Sequence, residues 1–506
     1  MVTKVLAAGL VGIDGFLVTV ECSVVSAGGA KFELVGLPDN AVREARERVE
    51  SACVSSGFYF PRHKILVNLA PANRKKEGSA FDLAILVGIL AASGALPAGA
   101  VREGDCFIGE LSLSGEVRPA TGVLSLALAA REAGCRRLFV PEANAREAAI
   151  AEGIEVYGVA AFPALFAHLI GRRELPVTRF DKGALADTRE LPDFAQVAGQ
   201  KKARRALEIA AAGGHNVLLI GPPGSGKSML AKRIPSILPP LTFPEAVEVT
   251  RVHSVAGMLP NAGLLTRRPF RAPHHTVSPA GMIGGGSSPR PGEISLADHG
   301  VLFLDELPEY APSLLETLRQ PLEDGTVTVT RVAARADYPA NFMLVYAMNP
   351  CRCGYFGDPT HACTCRPEEV QRYLSRVSGP LLDRLDIQVE VPSISFEELI
   401  ARRQNEPSAA IRERVAAARE RAGRRSPRPN ARLTPEELHR DCTPDAAGEE
   451  MLRAAFDKLG LSARGHDKIL RIARTIADLA GSETVSAPHI AEAIGYRTLD
   501  RKYWKR

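Results

Sequence analysis

One glycine-rich octapeptide limits the possible folds of this 506-residue chain more than any other segment. It consists of Gly221, Pro222, Pro223, Gly224, Ser225, Gly226, Lys227 and Ser228. The preceding residues 217–220 are apolar and residues 229–232 favour a helix, so the context is strand, loop and helix. Glycines let backbone N–H groups turn toward a phosphate, and the helix start adds a favourable dipole. We therefore expect Lys227 to contact the β- and γ-phosphates of ATP and Ser228 to ligate Mg²⁺.

A second apolar run, residues 301–304, ends in two carboxylates, Asp305 and Glu306. Four successive apolar residues are typical of a buried parallel strand, and open α/β sheets bind ligands at the carboxyl ends of such strands. We expect Asp305 to belong to the Mg²⁺ shell and Glu306 to polarise the water that attacks ATP. Together the two segments predict an α/β ATPase core over residues 194–392.

Two further polar side chains of this core are candidates for catalysis. Asn349 follows the apolar run 342–348, where its amide would orient water beside the γ-phosphate. The alternative is a turn that simply ends the strand, because Asn-Pro is a turn dipeptide. Arg384 lies beside the carboxylates Asp383 and Asp386. It forms either an ion pair or, in a ring of subunits, an arginine finger that reaches the neighbour's ATP.

The rest of the chain predicts two further domains. Residues 173–193 are polar and contain proline, as expected of a linker that follows an N-terminal α/β domain, residues 1–172. Residues 393–506 have mainly helical spacing, with helices expected over 408–423, 434–440, 444–459, 463–480 and 486–497. The predicted fold class is therefore multidomain α/β with a helical C-terminal domain.

Charge and hydropathy limit the cellular setting. The formal net charge of +5 permits a nucleic-acid partner without requiring one. Asp14 and repeated glycines interrupt the apolar N-terminus, so it does not resemble an export signal. Glycine and proline also interrupt residues 83–101, which are only modestly hydrophobic for a bilayer span. We expect a cytoplasmic protein without disulfides and without a membrane partner.

Four of the nine cysteines form two closely spaced pairs: Cys351, Cys353, Cys363 and Cys365. Four thiolates suffice for a closed tetrahedral Zn²⁺ site of the structural kind. Cys-x-Cys pairs are less usual in such sites than Cys-x₂-Cys pairs, so four reduced cysteines without a metal are the alternative. A catalytic metal is not expected, because no open ligand position is indicated.

Residues 402–432 contain ten arginines and three glutamates. One interpretation is a solvated helix face with pairing between residues four positions apart. The other is contact with the DNA backbone, which predicts binding that weakens steeply with salt.

Several core segments resemble the YifB/ComM group of magnesium-chelatase-like AAA+ ATPases. The resemblance is carried by residues 291–297, 300–310 (GVLFLDELPEY), 318–325 (LRQPLEDG), 347–351 (AMNPC) and 378–386 (SGPLLDRLD). It implies a hexameric ring with ATP between subunits, acting on DNA as a branch-migration helicase in recombination and natural transformation. A protein remodeller of the magnesium-chelatase type is the alternative function.

By the same resemblance, Asn349 is the first sensor and Arg384 the arginine finger. Arg464, which opens a predicted C-terminal helix, is the second sensor and contacts the γ-phosphate. Arg471 and Arg474 lie on the same predicted helix and are the alternatives for that last role.

The resemblance also implies two insertions. One spans residues 270–286 and contains His274 and His275, for which a pore or loop-stabilising role is favoured over metal binding because no third ligand is nearby. The other is a hairpin near residues 326–337, whose basic Arg331 and Arg335 would line a central pore and follow phosphates.

Residues 1–170 resemble the proteolytic domain of Lon. Aligned on Gly78, Ala80 occupies the position of the serine nucleophile and Leu124 that of the lysine, and Ser79 is one residue away. A Ser–Lys pair needs both the hydroxyl and the amine. We therefore expect a degenerate domain that serves ring assembly or binds DNA or a partner.

Overall fold

The structure, a computed structural model, describes residues 2–25, 31–181, 191–259, 263–286, 289–330, 335–394 and 405–504. It comprises an N-terminal α/β domain, a core built on a parallel sheet and a C-terminal group of helices. Within those ranges, no helix combines the length and the apolar character that crossing a membrane requires.

The N-terminal domain is built on a mixed sheet of eight strands. The strands of this domain are β1 (Val2–Val11), β2 (Asp14–Val25), β3 (Lys31–Val35), β4 (Lys64–Ala70), β5 (Asp105–Phe107), β6 (Glu110–Leu111), β7 (Val117–Arg118), β8 (Arg137–Pro141), β9 (Glu155–Val159) and β10 (Val177–Thr178). Their order in the sheet is β10-β9-β8-β5-β1-β2-β4-β3, and β6 pairs only with β7. Because β10 joins this sheet, the first residues of the predicted linker belong to the N-terminal domain.

Helices cover this sheet. They are Asn40–Arg43, Ala45–Ser55, Asp82–Ala92, Val123–Glu132, Ala145–Ala148 and Phe162–Leu169. The helix Asp82–Ala92 is buried from its first residue through Leu90 and packs on β1 and β2. The first part of the apolar run 83–101 is therefore a core element of this domain.

The core sheet places the ends of its strands in a fixed relation. The strands of the core are β11 (Val217–Ile220), β12 (Phe270–Arg271), β13 (Gly284–Gly285), β14 (Arg290–Pro291), β15 (Val301–Leu304), β16 (Thr326–Thr330), β17 (Arg335–Pro339), β18 (Met343–Met348) and β19 (Ile387–Glu390). Five of them form a parallel sheet in the order β12-β15-β18-β11-β19. All five therefore end at one side, here called the carboxyl edge, and begin at the other, the amino edge.

Ten helices flank the core strands in the described part of the chain. They are Lys201–Gly213, Lys227–Ala231, Ile234–Ile237, Phe243–Val255, Pro279–Ile283, Glu293–Leu296, Pro312–Glu316, Arg319–Asp324, Pro367–Leu374 and Gly379–Leu382. The strands β11, β15 and β18 are completely buried, as their uninterrupted apolar residues require.

The C-terminal helices begin and end close to the predicted bounds. They are Ser408–Arg425, Pro435–Asp441, Ala446–Leu459, Ala463–Ala480, Ala487–Gly495 and Leu499–Trp504, the last of which the sequence did not indicate. Thr434 and Ser462 cap two of them by accepting a backbone N–H three residues on. The helix Ala463–Ala480 packs on Lys201–Gly213 and thereby joins this group to the core.

The N-terminal domain packs directly on the core. Arg251 donates to Asp14 Oδ1 at 2.9 Å, and the Ser254 hydroxyl donates to the Glu147 carboxylate. A small apolar cluster at the same junction includes Leu124 and Ala246.

Candidate nucleotide-binding site

The glycine-rich octapeptide connects β11 to the helix Lys227–Ala231. Gly224 and Gly226 have φ values of +74° and +91°, which only glycine adopts without strain. At its first residue the loop is tied to the sheet, because the Gly221 N–H donates to the Met348 carbonyl at 3.2 Å. The sequence therefore forms the strand–loop–helix unit that its motif predicts.

Lys227 points back into the loop rather than into solvent. Its Nζ donates to the carbonyl oxygens of Gly221 and Pro222, both at 2.8 Å, and to Asn349 Oδ1 at 3.2 Å. Burial lowers the pKa of Lys227 to about 8, although the nearby carboxylates of Asp305 and Glu306 act in the opposite direction. The loop thus holds one partly desolvated ammonium group at its centre. An anionic ligand would offset the free-energy cost of burying this charge.

Ser228 and Asp305 meet at the carboxyl edge. The Ser228 hydroxyl donates to Asp305 Oδ2 at 2.5 Å, although 77 residues separate the two in the chain. A hydroxyl and a carboxylate oxygen are the ligands that Mg²⁺ accepts alongside phosphate oxygens and water. The residues present therefore fit a Mg²⁺-bound nucleoside triphosphate.

Glu306 has an unusual backbone for its residue type. Its φ is +54°, and its side chain is 60% exposed, directed away from the protein interior. A non-glycine residue in the left-handed region costs free energy, and such residues cluster at functional sites. The imidazole Nδ1 of His275 lies 3.9 Å from Glu306 Oε2. This contact ties the first insertion to the predicted catalytic carboxylate.

Asn349 follows β18 directly and reaches the same place. Asn349 accepts a hydrogen bond from Lys227 and is the residue that follows β18, as Gly221 follows β11 and Asp305 follows β15. Three strands therefore end in residues that contribute polar groups to the carboxyl edge. The Asn349 amide is therefore positioned beside the loop rather than turned into a strand-terminating hydrogen bond.

Arg384 lies on the other side of the sheet, before the start of β19. Its guanidinium forms an ion pair with Glu323 and donates to the Pro380 carbonyl at 2.9 Å. Burial lowers the pKa of Arg384, and the positive charges of Arg319 and Arg464 lower it further. Arg384 therefore lies at the amino edge, away from Lys227 of the same chain.

The alternatives to Arg464 on the helix Ala463–Ala480 are differently placed. Arg474 is only 1% exposed and pairs with Asp478 at 3.0 Å, so it holds the helical domain together. Arg471 donates to the Leu433 carbonyl at 3.0 Å and lines a cavity with Arg384.

Sequence reasoning missed Gln200. It is buried, has a φ of +50°, and its amide donates to the Pro392 carbonyl at 2.7 Å and to the Ser225 carbonyl at 3.3 Å. It therefore links the phosphate loop to the segment that follows β19. A polar residue ahead of a helix looks like an ordinary cap, and nothing in the sequence marks its left-handed backbone.

Most described cations of the arginine-rich segment contact other groups of the protein. Arg402 and Arg403 lie outside the described residues. Most of the others bind the protein itself: Arg414 to Glu208, Arg419 to the Ala211 carbonyl, Arg421 and Arg425 to Asp478, Arg428 to Glu437 and Arg432 to Asn341. Among the described residues of this segment, Arg424 and Glu420 form an i,i+4 surface pair. Several of the arginines fasten the helix Ser408–Arg425 to its neighbours, whereas the side chains of Arg424 and Arg428 are 74% and 53% exposed.

The four paired cysteines converge in space. The Sγ atoms of Cys351, Cys353 and Cys363 are 3.3 to 3.7 Å apart, and the Cys353 N–H donates to Cys365 Sγ at 3.4 Å. All four are free thiols, and their sulfur atoms lie within 4.8 Å of one another. In the described part of the chain, neither His274 nor His275 belongs to a comparable group of metal ligands.

The predicted hairpin is present as β16 paired with β17. Val327 and Val329 are buried and Thr328 faces outward, as their alternation predicts. The side chain of Arg335 is 69% exposed, whereas Arg331 lies outside the described residues.

The Lon-like positions have no peptidase geometry. Leu124 is fully buried at the junction with the core. The Ser79 hydroxyl hydrogen bonds to the Glu110 carboxylate, so its described partner is an acid rather than a lysine.

Three family models match successive parts of the chain. They are subunit ChlI of Mg-chelatase over residues 20–144, magnesium chelatase subunit ChlI over 193–399 and the C-terminal part of that subunit over 405–497. Competence protein ComM of Haemophilus influenzae is 43% identical over 97% of this chain and 96% of its own length. The uncharacterised protein YifB of Salmonella typhimurium is 41% identical, with 97% and 96% covered. A Lon protease of Brucella suis is 24% identical over 33% of this chain and 21% of its own length.

Proposed function

Because the chain belongs to the YifB/ComM family of magnesium-chelatase-like AAA+ ATPases, we propose that it is a hexameric ATP-driven motor that moves on DNA and promotes branch migration. ATP hydrolysis with Mg²⁺ follows from the family. The DNA substrate, the ring and a role in natural transformation are the further steps of the proposal.

The convergence at the carboxyl edge carries the ATPase part of this proposal. Lys227, Ser228, Asp305 and Asn349 come from three neighbouring strand ends and are linked by hydrogen bonds of 2.5 to 3.2 Å. A loop lysine, a hydroxyl, a carboxylate and an amide within hydrogen-bonding reach of one another are the set of groups that phosphoryl transfer with Mg²⁺ requires.

Each side chain has a distinct task at this edge. Lys227 and the loop N–H groups bind and orient the β- and γ-phosphates. Ser228 and Asp305 would hold Mg²⁺, which supplies charge neutralisation for the phosphates when bound. Glu306, exposed and adjacent, accepts a proton from the attacking water, and Asn349 orients that water.

The ring part of the proposal is supported by the amino edge. A strand of four residues spans about 13 Å, so Arg384 and Lys227 lie at opposite ends of the sheet. Arg384 reaches a γ-phosphate only if a neighbouring subunit presents its carboxyl edge to it. The proximity of Arg464 supports a second cation on the same presenting surface.

Support for DNA is less direct. The exposed Arg335 on the hairpin β16–β17 and the net charge of +5 suit a phosphate backbone. Most described cations of the arginine-rich helix bind partly buried groups of the protein, whereas Arg335 pairs with Asp337 at 3.7 Å and both side chains stay exposed to solvent. The proposal therefore assigns DNA contact to the hairpin rather than to the helix.

The test uses the full chain with fluorescent branched DNA, ATP and Mg²⁺, compared with Lys227→Ala. We expect strand exchange and DNA-stimulated ATP turnover for the native chain and neither for the variant. Arg335→Ala should weaken DNA binding and reduce its salt dependence, whereas Arg424→Ala, on an exposed i,i+4 pair, should not. ATP turnover without strand exchange at any salt concentration would refute the DNA motor and leave the ATPase in place.

The magnesium-chelatase matches keep one second candidate, an ATP-dependent protein remodeller. The two functions differ in what accelerates ATP turnover. DNA stimulates a DNA motor, whereas only a protein partner stimulates a remodeller.

A casein-degradation assay addresses the peptidase that residues 1–172 resemble, and we expect no cleavage.

The remaining parts of the proposal concern cofactors and domains. We assign one structural Zn²⁺ to the four cysteines of residues 351–365. The proposal also includes a division into domains at residues 172, 193 and 392. It further includes an assembly or binding role for the N-terminal domain and a cytoplasmic location.

A further inference from the structure

The loop that carries the four cysteines follows Asn349 at the end of β18 and packs against the phosphate loop. Cys351 is two residues beyond Asn349 and is completely buried. Gly354, in the turn between the two cysteine pairs, has a φ of +91°. A Cβ at this position would lie 2.4 Å from Cδ and 2.7 Å from Cγ of Pro223. The cysteine loop therefore rests against the second proline of the octapeptide, and only glycine permits that approach.

The other side of the same loop is held by the C-terminal helix. Phe356 lies against the ring of Tyr503 with centroids 6.3 Å apart. Tyr503 and Lys502 both donate to Glu390 Oε1 at 2.5 Å, at the end of β19. The cysteine loop thus lies between the phosphate loop and the helix Leu499–Trp504. A change in its conformation would change its contacts with both.

The sulfur geometry fits a tetrathiolate metal. A regular tetrahedron with Zn–S bonds of about 2.3 Å has sulfur atoms about 3.8 Å apart. The separations of 3.3 to 3.7 Å among Cys351, Cys353 and Cys363 are close to this value and far above the length of about 2.0 Å of a disulfide bond. The backbone N–H of Cys353 also donates a hydrogen bond to Cys365 Sγ at 3.4 Å. Such an N–H group stabilises a thiolate, as second-shell donors do in metal sites.

We infer that this site holds one Zn²⁺ whose role is to position the nucleotide site: it fixes the turn at Gly354 against Pro223 and keeps Asn349 beside Lys227. The inference rests on the ATPase function proposed above and adds a positioning device to it. The cysteines touch no nucleotide, so they act through Pro223 and Asn349. Without the metal the loop loses its cross-link, and the two ends it fixes become free to move apart.

The first test measures metal in the purified full chain. We expect one Zn²⁺ per chain, retention in His361→Ala and loss in the double variant Cys363→Ser, Cys365→Ser. His361 is the matched control because its exposed imidazole lies in the same loop but outside the sulfur cluster. A native chain without metal, or a double variant that retains it, overturns the inference.

The second test separates positioning from folding with two glycines of one loop. Gly354→Ala and Gly357→Ala introduce the same backbone strain, at φ values of +91° and +78°, and leave all four thiols in place. Only the first meets Pro223, whereas a Cβ at Gly357 meets nothing closer than Lys502 Cε at 3.7 Å. We expect Gly354→Ala to keep Zn²⁺ and lower kcat by about 100-fold with a smaller change in KM, as a misplacement of about 1 Å does. Equal turnover in the two variants contradicts the inference.

The third test requires no turnover. Co²⁺ in place of Zn²⁺ gives the visible absorption bands of a tetrahedral thiolate site. We expect a non-hydrolysable ATP analogue to shift these bands in the native chain but not in Lys227→Ala, which keeps the metal and loses the nucleotide. Bands that do not respond to bound analogue refute the coupling. If the chain holds the metal and binds the analogue with the expected shift but never hydrolyses ATP, the proposed function fails and this inference stands.

Discussion

The two edges of the core sheet present different functional groups. At the carboxyl edge, Lys227, Ser228 and Asp305 are hydrogen bonded to one another or to their own loop and surround the place for a triphosphate. At the amino edge, Arg384 pairs with Glu323 and is separated from the phosphate loop of its own chain by the length of the sheet. The difference supports the proposal that a neighbouring subunit completes the nucleotide site.

The largest effect expected from this comparison is at Arg384. Arg384→Ala should lower ATP turnover by about 1,000-fold while ATP binding persists, because an arginine finger acts mainly on the transition state. The measurement is steady-state turnover together with equilibrium nucleotide binding. Glu323→Gln is the control, since it removes the ion-pair partner of Arg384 and keeps the cation.

Mixtures of two inactive variants test directly whether the two edges act on the same nucleotide from different subunits. Neither Lys227→Ala nor Arg384→Ala should hydrolyse ATP alone, but a mixture should recover part of the turnover, because some interfaces then join an intact loop to an intact finger. A mixture as inactive as its components would show that both groups serve the same chain, and the two-edge scheme would be wrong.

Glu306→Gln tests the division of labour within the carboxyl edge. The amide cannot accept a proton, so turnover should fall by a factor of about 100. ATP binding should be unchanged, unlike in Lys227→Ala. His275→Ala removes the imidazole 3.9 Å from Glu306 and should give a smaller loss of turnover with the binding intact. Lost nucleotide binding in Glu306→Gln would place this carboxylate in the binding shell instead.

Lys468 is a cation of the amino edge for which we expect a structural rather than a catalytic role. Its ammonium lies 3.1 Å from Asp386 and both side chains are nearly buried, so Lys468→Met would leave a buried carboxylate without its main partner. The expected loss is about 3 to 5 kcal/mol in the free energy of unfolding. Chemical denaturation measures it. An unaltered unfolding free energy would contradict a structural role for this pair.

The smallest expected effect is the pH dependence of ATP affinity. Burial lowers the pKa of Lys227 to about 8, so the amine is protonated below that pH and progressively neutral above it. Only the protonated form pairs with phosphate, and ATP affinity should therefore be constant below about pH 8 and fall by at most about tenfold per pH unit above it. Lys227→Arg should remove this dependence, because arginine keeps its proton throughout. An affinity independent of pH in the native chain would contradict the assignment.

The sequence was most informative where one residue type has one physical use. A glycine-rich loop, an uninterrupted apolar run and a carboxylate that follows it identify Gly226, β15 and Asp305 from the sequence. In the structure Gly226 has a positive φ, β15 is buried and Asp305 accepts a hydrogen bond from Ser228. Helix bounds in the C-terminal part were predicted within about two residues for the same reason, since capping residues such as Thr434 act locally.

Contacts between distant residues could not be predicted in this way. Pairing order in the eight-stranded sheet depends on packing, and apolar strands do not specify their neighbours. The left-handed Gln200 and the contact of His275 with Glu306 arise only when separate segments meet. The arginines of the helix Ser408–Arg425 show the same limit, because charge composition cannot distinguish a cation that faces solvent from one that binds Glu208.

The turn between β1 and β2 has a mechanical consequence. Gly12 sits so close to the hairpin β16–β17 that a Cβ there would lie 2.7 Å from the Cβ of Ala336. Ala336 pairs with Val329 in the outer part of this hairpin, so the N-terminal domain contacts the hairpin away from its junction with the core. The orientation of the hairpin therefore depends on the position of the N-terminal domain as well as on the core.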